Sequence, residues 1–143
     1  GLVYLGDSGS YLISMIIGII LIKLYQRNIY ISPYYVAAML WYPAFENLFS
    51  LLRRIYKKIN ISSADQLHLH QLIFRFLKTK KIFNKKIVNP VTSVIILLCN
   101  MPSFIFATIN LSYTKYLVLI IMINVLFYLL AYSFFSKNLV IKK

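Results

Sequence analysis

Acidic residues are scarce in this sequence, which has sixteen lysines and arginines but only three carboxylates, Asp7, Glu46 and Asp65. In so basic a chain, each carboxylate needs a structural or chemical reason. Cysteine is scarcer still, because Cys99 stands alone. A single cysteine excludes an internal disulfide and argues against a cysteine metal site.

Apolar residues, by contrast, make up 60% of the chain, which is more than an ordinary soluble domain of this size contains. They are clustered in runs long enough to span a bilayer. The net charge of +13 suggests either nucleic acid or an anionic membrane surface as a partner. We favour the membrane, because the basic residues lie between the apolar runs and the aromatic residues lie inside them, which disfavours nucleic-acid binding.

Four apolar runs predict membrane-spanning helices, at about residues 10–25, 33–52, 88–110 and 116–135. They indicate an all-α, multi-pass transmembrane helical bundle that forms one domain over residues 1–143. Pro33 suits the first position of a helix, and Pro102, inside the third run, predicts a kink. Because the chain starts without methionine and already within a motif, we interpret it as the carboxyl-terminal part of a longer domain.

Basic residues are concentrated in residues 53–86 and in the tail after residue 136, which the positive-inside rule places in the cytoplasm. Counting the spans backwards puts Asp7 on the same side. Within residues 53–86 the pattern predicts an amphipathic helix that lies on the membrane face. Its polar stripe is formed by His68, Gln71, Arg75 and Lys78. That stripe is suited to a diphosphate or, alternatively, to anionic lipid.

The segment Gly6-Asp7-Ser8-Gly9-Ser10 opens the first run. A helix start offers unpaired N–H groups and a positive dipole end, which favour phosphate, and a carboxylate beside them is a suitable magnesium ligand. The alternative is that Asp7 or Ser8 only caps the helix. A similar sequence surrounds the nucleophile of trypsin-like serine proteases, but a membrane helix follows here and both histidines lie downstream, so we reject that reading.

Glu46 lies inside the second run, about 10 Å from its cytoplasmic end. A carboxylate at that depth indicates a functional role, and Pro43, one turn earlier, can open a polar pocket beside it. The alternative is a structural carboxylate that pairs with a basic residue on another helix.

The two histidines, His68 and His70, would face opposite ways in a regular helix. They can serve one site only if this stretch is extended or lies at a helix start. Two histidines are too few to predict a zinc site with any force.

Taken in order, these features resemble the polyprenyl-phosphate N-acetylhexosamine-1-phosphate transferases, the glycosyltransferase family 4 membrane enzymes. The motifs that carry the resemblance are Tyr4-Leu5-Gly6-Asp7-Ser8-Gly9-Ser10, Pro43 with Glu46, Arg53-Arg54, and Ser62 to Gln71. They cover residues 1–76, and the last two runs fit by topology only. Glu46 stands where many members have aspartate, Gln66 replaces a usual arginine, and Gln71 replaces the last histidine of the family motif.

The resemblance implies an enzyme of the bacterial inner (plasma) membrane. It would transfer an N-acetylhexosamine 1-phosphate from a UDP-sugar to undecaprenyl or another polyprenyl phosphate, release UMP, and so initiate synthesis of a cell-envelope polysaccharide such as lipopolysaccharide. Mg²⁺ is the expected cofactor, with Asp7 as its ligand. Asp7, His68 and His70 are the expected catalytic residues. The expected substrate-binding residues are Gly6, Ser8, Gly9, Glu46, Arg53, Gln71 and Arg75.

The family's paired aspartates would precede Gly1, so we expect this chain alone to be inactive. A homodimer is left open. The alternative from another class is a non-enzymatic membrane segment, for instance a transporter fragment whose basic loop binds lipid.

Overall fold

The computed structural model describes residues 6–60, 65, 67–80, 83, 84 and 86–140, with Gly6, Asp7, Ser10, Leu139 and Val140 described by their backbone alone. Within these residues there are six α-helices and no strand, which confirms the predicted all-α class. The helices are α1 (Gly6–Arg27), α2 (Pro33–Met39), α3 (Trp41–Tyr56), α4 (Leu69–Lys80), α5 (Val88–Ile109) and α6 (Thr114–Val140).

Two of the helices in the described part of the chain, α5 and α6, are long and apolar enough to cross a membrane, over Val88–Ile109 and Thr114–Asn138. They correspond to the third and fourth predicted runs. A tight turn joins them, in which the N–H of Tyr113 donates to the carbonyl of Asn110 at 2.9 Å. Between them the Ser103 hydroxyl donates to Oδ1 of Asn124 at 2.6 Å. Such buried polar contacts bind apolar helices to one another where water is excluded.

The second predicted run is not one helix, which corrects the expectation of a continuous span over residues 33–52. The chain leaves helical geometry at Leu40, where φ is −99° and ψ is 6°. Pro43 permits the break, because it lacks the N–H that would donate to the carbonyl of Met39. The second part, α3, then continues beyond residue 52 to Tyr56. Pro102, by contrast, lies inside α5, which continues through it.

A shared apolar core joins α3, α4, α5 and α6. Its buried members are Trp41, Leu69, Ile73, Leu77, Val88 and Tyr128. The amphipathic character predicted for α4 is therefore confirmed, and its apolar face packs on protein. The reason is the length of α6, whose last turns carry Phe134 and Phe135 to within ring-contact distance of Phe76, at 6.2 and 5.2 Å between centroids.

The opposite end of α6 is held by α2. Ala38 packs against Ala107 and Leu117, both fully buried. The hydroxyls of Ser32 and Thr114 lie 2.8 Å apart. The first helix differs, because most of its large apolar side chains between residues 11 and 24 are exposed.

Candidate functional site

The residues predicted for the site fall into two regions of the structure. One region contains Glu46, Arg53, His68 and His70. It lies where α3, the segment before α4 and the second half of α6 meet, and we call it the junction. In the first turn of α1, Ser8 is exposed and Gly9 is half-buried. The side chain of Asp7 lies outside the described residues, as do residues 1–5, 61–64 and 66 of the family-like motifs.

Glu46 links three elements at the junction. Its Oε1 accepts a hydrogen bond from the backbone N–H of Leu69 at 2.8 Å and from the hydroxyl of Tyr128 at 3.0 Å. Nδ1 of His68 lies 3.1 Å from the same oxygen. Since Leu69 is the first residue of α4, the carboxylate satisfies an N–H that the helix itself leaves unpaired, at its positive dipole end. These contacts tie α3 to α4 and α6.

Arg53 and Asp65 form the second link of the junction. The guanidinium pairs with Oδ2 of Asp65, and the side chains are only 9% and 10% exposed. The same guanidinium donates to the carbonyl of Leu67 at 2.7 Å and to the Tyr132 hydroxyl at 2.5 Å. Arg53, predicted to bind substrate, is thus engaged with protein partners that fix the segment entering α4.

The pKa of Asp65 is lowered. Partial burial acts to raise this pKa, but hydrogen bonds from the Ser50 hydroxyl and the Leu67 N–H, with the charges of Arg53 and His68, outweigh it. Asp65 is therefore ionised at neutral pH and keeps Arg53 charge-paired in a site where an unpaired guanidinium would be costly.

The histidines meet at a helix start. His68 immediately precedes α4 and His70 is its second residue, so their rings stack with centroids 5.6 Å apart and planes inclined by 13°. The sequence predicted that the two histidines could serve one site only in an extended stretch or at a helix start, and the second condition is met. Burial lowers the pKa of His70, the nearby Glu46 charge opposes this, and His68 adds to it, so the net shift is downward. His70 is thus neutral at pH 7.

A groove of about 880 Å³ opens beside His70 between α3, α4 and α5. Besides His70, its polar lining is made of amide and hydroxyl side chains, and no lysine or arginine of the described residues lines it. Three of its polar atoms are buried without a hydrogen-bond partner within the described part of the chain: the Tyr42 hydroxyl, Oε1 of Gln71 and Oδ1 of Asn100. Arg75, one turn beyond Gln71, is half-buried and is not among the residues that line the groove.

A metal ion finds no ready site in the described residues, where no three side chains of His, Cys, Asp or Glu are grouped suitably. Both oxygens of Asp65 accept hydrogen bonds from protein donors, and Oε1 of Glu46 has three polar neighbours. Asp65 therefore does not fit Mg²⁺, which needs oxygens free to coordinate, whereas Oε2 of Glu46 is buried without a hydrogen-bond partner among the described residues. The prediction of a magnesium ligand rests on Asp7.

Sequence reasoning missed Ser50, Tyr128 and Tyr132 as members of the junction. Tyrosine and serine inside apolar runs look like interface or packing residues, and their partners lie as far as 82 residues away in the chain. The one usable signal is the four-residue spacing of the tyrosines, which puts both hydroxyls on the same face of α6.

No protein-family model matches this chain, and neither a curated protein nor a solved structure matches it. The resemblance to glycosyltransferase family 4 therefore stays a prediction that rests on the ordered motifs.

Proposed function

We propose that this chain is the carboxyl-terminal part of a membrane enzyme that transfers an N-acetylhexosamine 1-phosphate from a UDP-sugar to a polyprenyl phosphate, with release of UMP. The observation that supports this most is the convergence of Glu46, Arg53, His68 and His70. Three separate motifs supply these residues. Glu46 contacts His68, His68 stacks on His70, and Arg53 is linked to His68 through Asp65, which pairs with the guanidinium and lies 3.7 Å from Nε2 of His68. Motifs that build one active site must meet in space, whereas unrelated motifs need not.

The chemistry explains why such residues would be needed. Two phosphates must approach each other, so positive groups must offset their repulsion and the charge that develops in the transfer. A bound Mg²⁺ would supply Lewis-acid stabilisation of the donor phosphates. In the proposed arrangement Asp7 holds that ion, and Gly6, Ser8 and Gly9 offer backbone N–H groups. His68 and His70, with Gln71 and Arg75, face the donor, and the lipid phosphate supplies the nucleophile.

The proposed setting is the bacterial plasma membrane, crossed about four times. In this arrangement α5 and α6 are two spans, α1 is a third, and α2 with α3 forms an interrupted fourth. The exposed apolar side chains of α1 support a lipid-facing helix. The basic residues support a cytoplasmic location for Asp7, residues 53–86 and the carboxyl terminus.

The test is a transfer assay on the complete protein with a panel of UDP-sugars, a short-chain lipid phosphate and Mg²⁺, in which released UMP is measured. We expect Asp7→Asn to abolish Mg²⁺-dependent release, because it removes the carboxylate proposed to hold the ion. Asn89→Asp, which adds a carboxylate at the start of α5 outside the motifs, tests whether an added carboxylate elsewhere restores activity to Asp7→Asn; we expect that it does not. Undiminished turnover of Asp7→Asn would remove this residue from the mechanism.

A non-enzymatic membrane segment is the second candidate, and the engagement of Glu46 and Arg53 by protein partners favours it. In that case both residues only hold helices together. Failure to release UMP from every donor, together with retained binding of the chain to vesicles that contain anionic lipid, would select this candidate.

A further inference from the structure

Tyr128 is the largest fully buried side chain of the described residues, at 1% exposure. It lies in α6, which no motif of the sequence covers. The rings of Phe45 and Phe49 both pack edge-to-face with its ring, with centroids 5.1 and 5.5 Å away. This packing directs its hydroxyl to Oε1 of Glu46, at 3.0 Å. The hydroxyl is the sole contact between α6 and Glu46 that the described hydrogen bonds include.

The same carboxylate oxygen determines the tautomer of His68. Oε1 of Glu46 already accepts hydrogen bonds from the Leu69 N–H and the Tyr128 hydroxyl, so it is an acceptor toward Nδ1 of His68 as well. Nδ1 must then carry the proton. Nε2 is left on the far side of the ring, and the nearest carboxylate oxygen to it, on Asp65, is 3.7 Å away. That separation is too long for a hydrogen bond, so no described hydrogen bond engages Nε2.

We propose that Tyr128 is a positioning residue for the phosphate-transfer site. It holds Glu46, and Glu46 holds His68 in the Nδ1–H form, which leaves Nε2 as an acceptor for a hydroxyl group of the UDP-sugar. This assignment rests on the proposed function and adds the last helix to the site. Pairing with a carboxylate is a general way to fix both the tautomer and the orientation of a histidine ring.

Other charged and titratable groups also lie around Glu46 and His68. Tyr42, on the same helix as Glu46, is close enough to its carboxylate to interact with it. Arg53 and Asp65 pair with each other, and His70 stacks on His68. Tyr132, one turn beyond Tyr128 on α6, contacts Arg53 and has no described hydrogen bond to Glu46. The two tyrosines therefore act on different partners, and Tyr132→Phe is a comparison that leaves the Glu46 contact intact.

The tautomer can be measured directly, because the chain has only two histidines. Selective ¹⁵N-histidine labelling of the full chain in detergent micelles gives separate signals for His68 and His70. In the wild-type chain we expect neutral His68 to be the Nδ1–H form, and in Tyr128→Phe we expect a larger share of the Nε2–H form that histidine prefers in water. Tyr116→Phe, at an exposed position on the same helix, should change nothing. A wild-type His68 in the Nε2–H form would overturn the proposal, even if Tyr128→Phe failed to fold.

Turnover of the complete protein separates this inference from the function on which it rests. We expect Tyr128→Phe to lower kcat/KM for the UDP-sugar by about tenfold, as loss of an orienting partner does in comparable sites, and Tyr116→Phe to leave it unchanged. An inactive wild-type protein would overturn the proposed function. An active wild-type protein with an equally active Tyr128→Phe variant would overturn the role of Tyr128 alone.

Discussion

The first helix and the junction differ in almost every physical respect. Helix α1 opens with the most distinctive motif in the sequence, yet it exposes most of its apolar side chains. The junction carries weaker motifs, but hydrogen bonds and an ion pair hold its side chains between three elements. A substitution at the junction will therefore change stability as well as chemistry, whereas one at the start of α1 tests chemistry with less disturbance of the fold.

The largest stability effect is expected from Arg53→Ala. It leaves the carboxylate of Asp65 buried without its partner, and breaking a buried ion pair costs about 3–5 kcal/mol. The measurement is thermal unfolding in detergent, followed by the fluorescence of Trp41, which is the sole tryptophan and lies in the core. Lys57→Ala, at the exposed end of α3, is the control and should have little effect. Equal losses for the two variants would show that the Arg53 contacts do not hold the junction.

Two matched side-chain truncations, one in α4 beside the junction and one in α1, sharpen the comparison of the two regions. Leu72 of α4 is 2% exposed and Ile20 of α1 is 59% exposed. We expect Leu72→Ala to destabilise the protein by about 3 kcal/mol, because it removes buried methyl groups and leaves a cavity. For Ile20→Ala we expect a change within about 0.5 kcal/mol. The same fluorescence assay compares them, and a large loss for Ile20→Ala would mean that α1 is packed against a further element.

Long apolar runs made α5 and α6 predictable, because nothing within them competes with a helix strongly enough to end it. The predicted run at 88–110 differs from Val88–Ile109 by one residue at one end. The break at Leu40 was harder to predict, since Pro43 and Pro102 are the same residue type in similar runs. What separates them is tertiary packing, because Ala38 on α2 and Trp41 on α3 belong to different clusters.

For the site, the sequence identified the residue types and not their partners. Glu46, Arg53 and the histidines could be selected because each is unusual where it stands. Their hydrogen-bonding partners within the protein, Tyr128 above all, come from a helix some 80 residues away. A single sequence contains no signal for such a pairing, which forms only when the core brings α6 against α3. The role of Asp65 was undetermined for the same reason.

The smallest predicted effect is a pH dependence confined to the junction. Because the pKa of Asp65 is lowered in the folded protein, its contribution to stability is fully present above its ordinary value of 3.8 and is lost as the pH falls through the lowered value. The melting temperature of the wild type should therefore fall on acidification below pH ~4. The melting temperature of Asp65→Asn should be lower than that of the wild type at neutral pH and should fall less on acidification. Circular dichroism at 222 nm can follow both melting curves.

The lowered pKa of His70 makes stability depend on pH in a second, higher pH range. The unfolded chain takes up this proton more readily than the folded one, so stability also declines as the pH falls through the ordinary histidine value of 6.5. His70→Gln should remove that upper decline and leave the one below pH ~4. Because α1 has no titratable group buried among its described side chains, the same acid titration should leave any unfolding step confined to α1 unchanged.

An identical acid profile for the wild type and Asp65→Asn would show that the ion pair of Asp65 with Arg53 does not stabilise the junction.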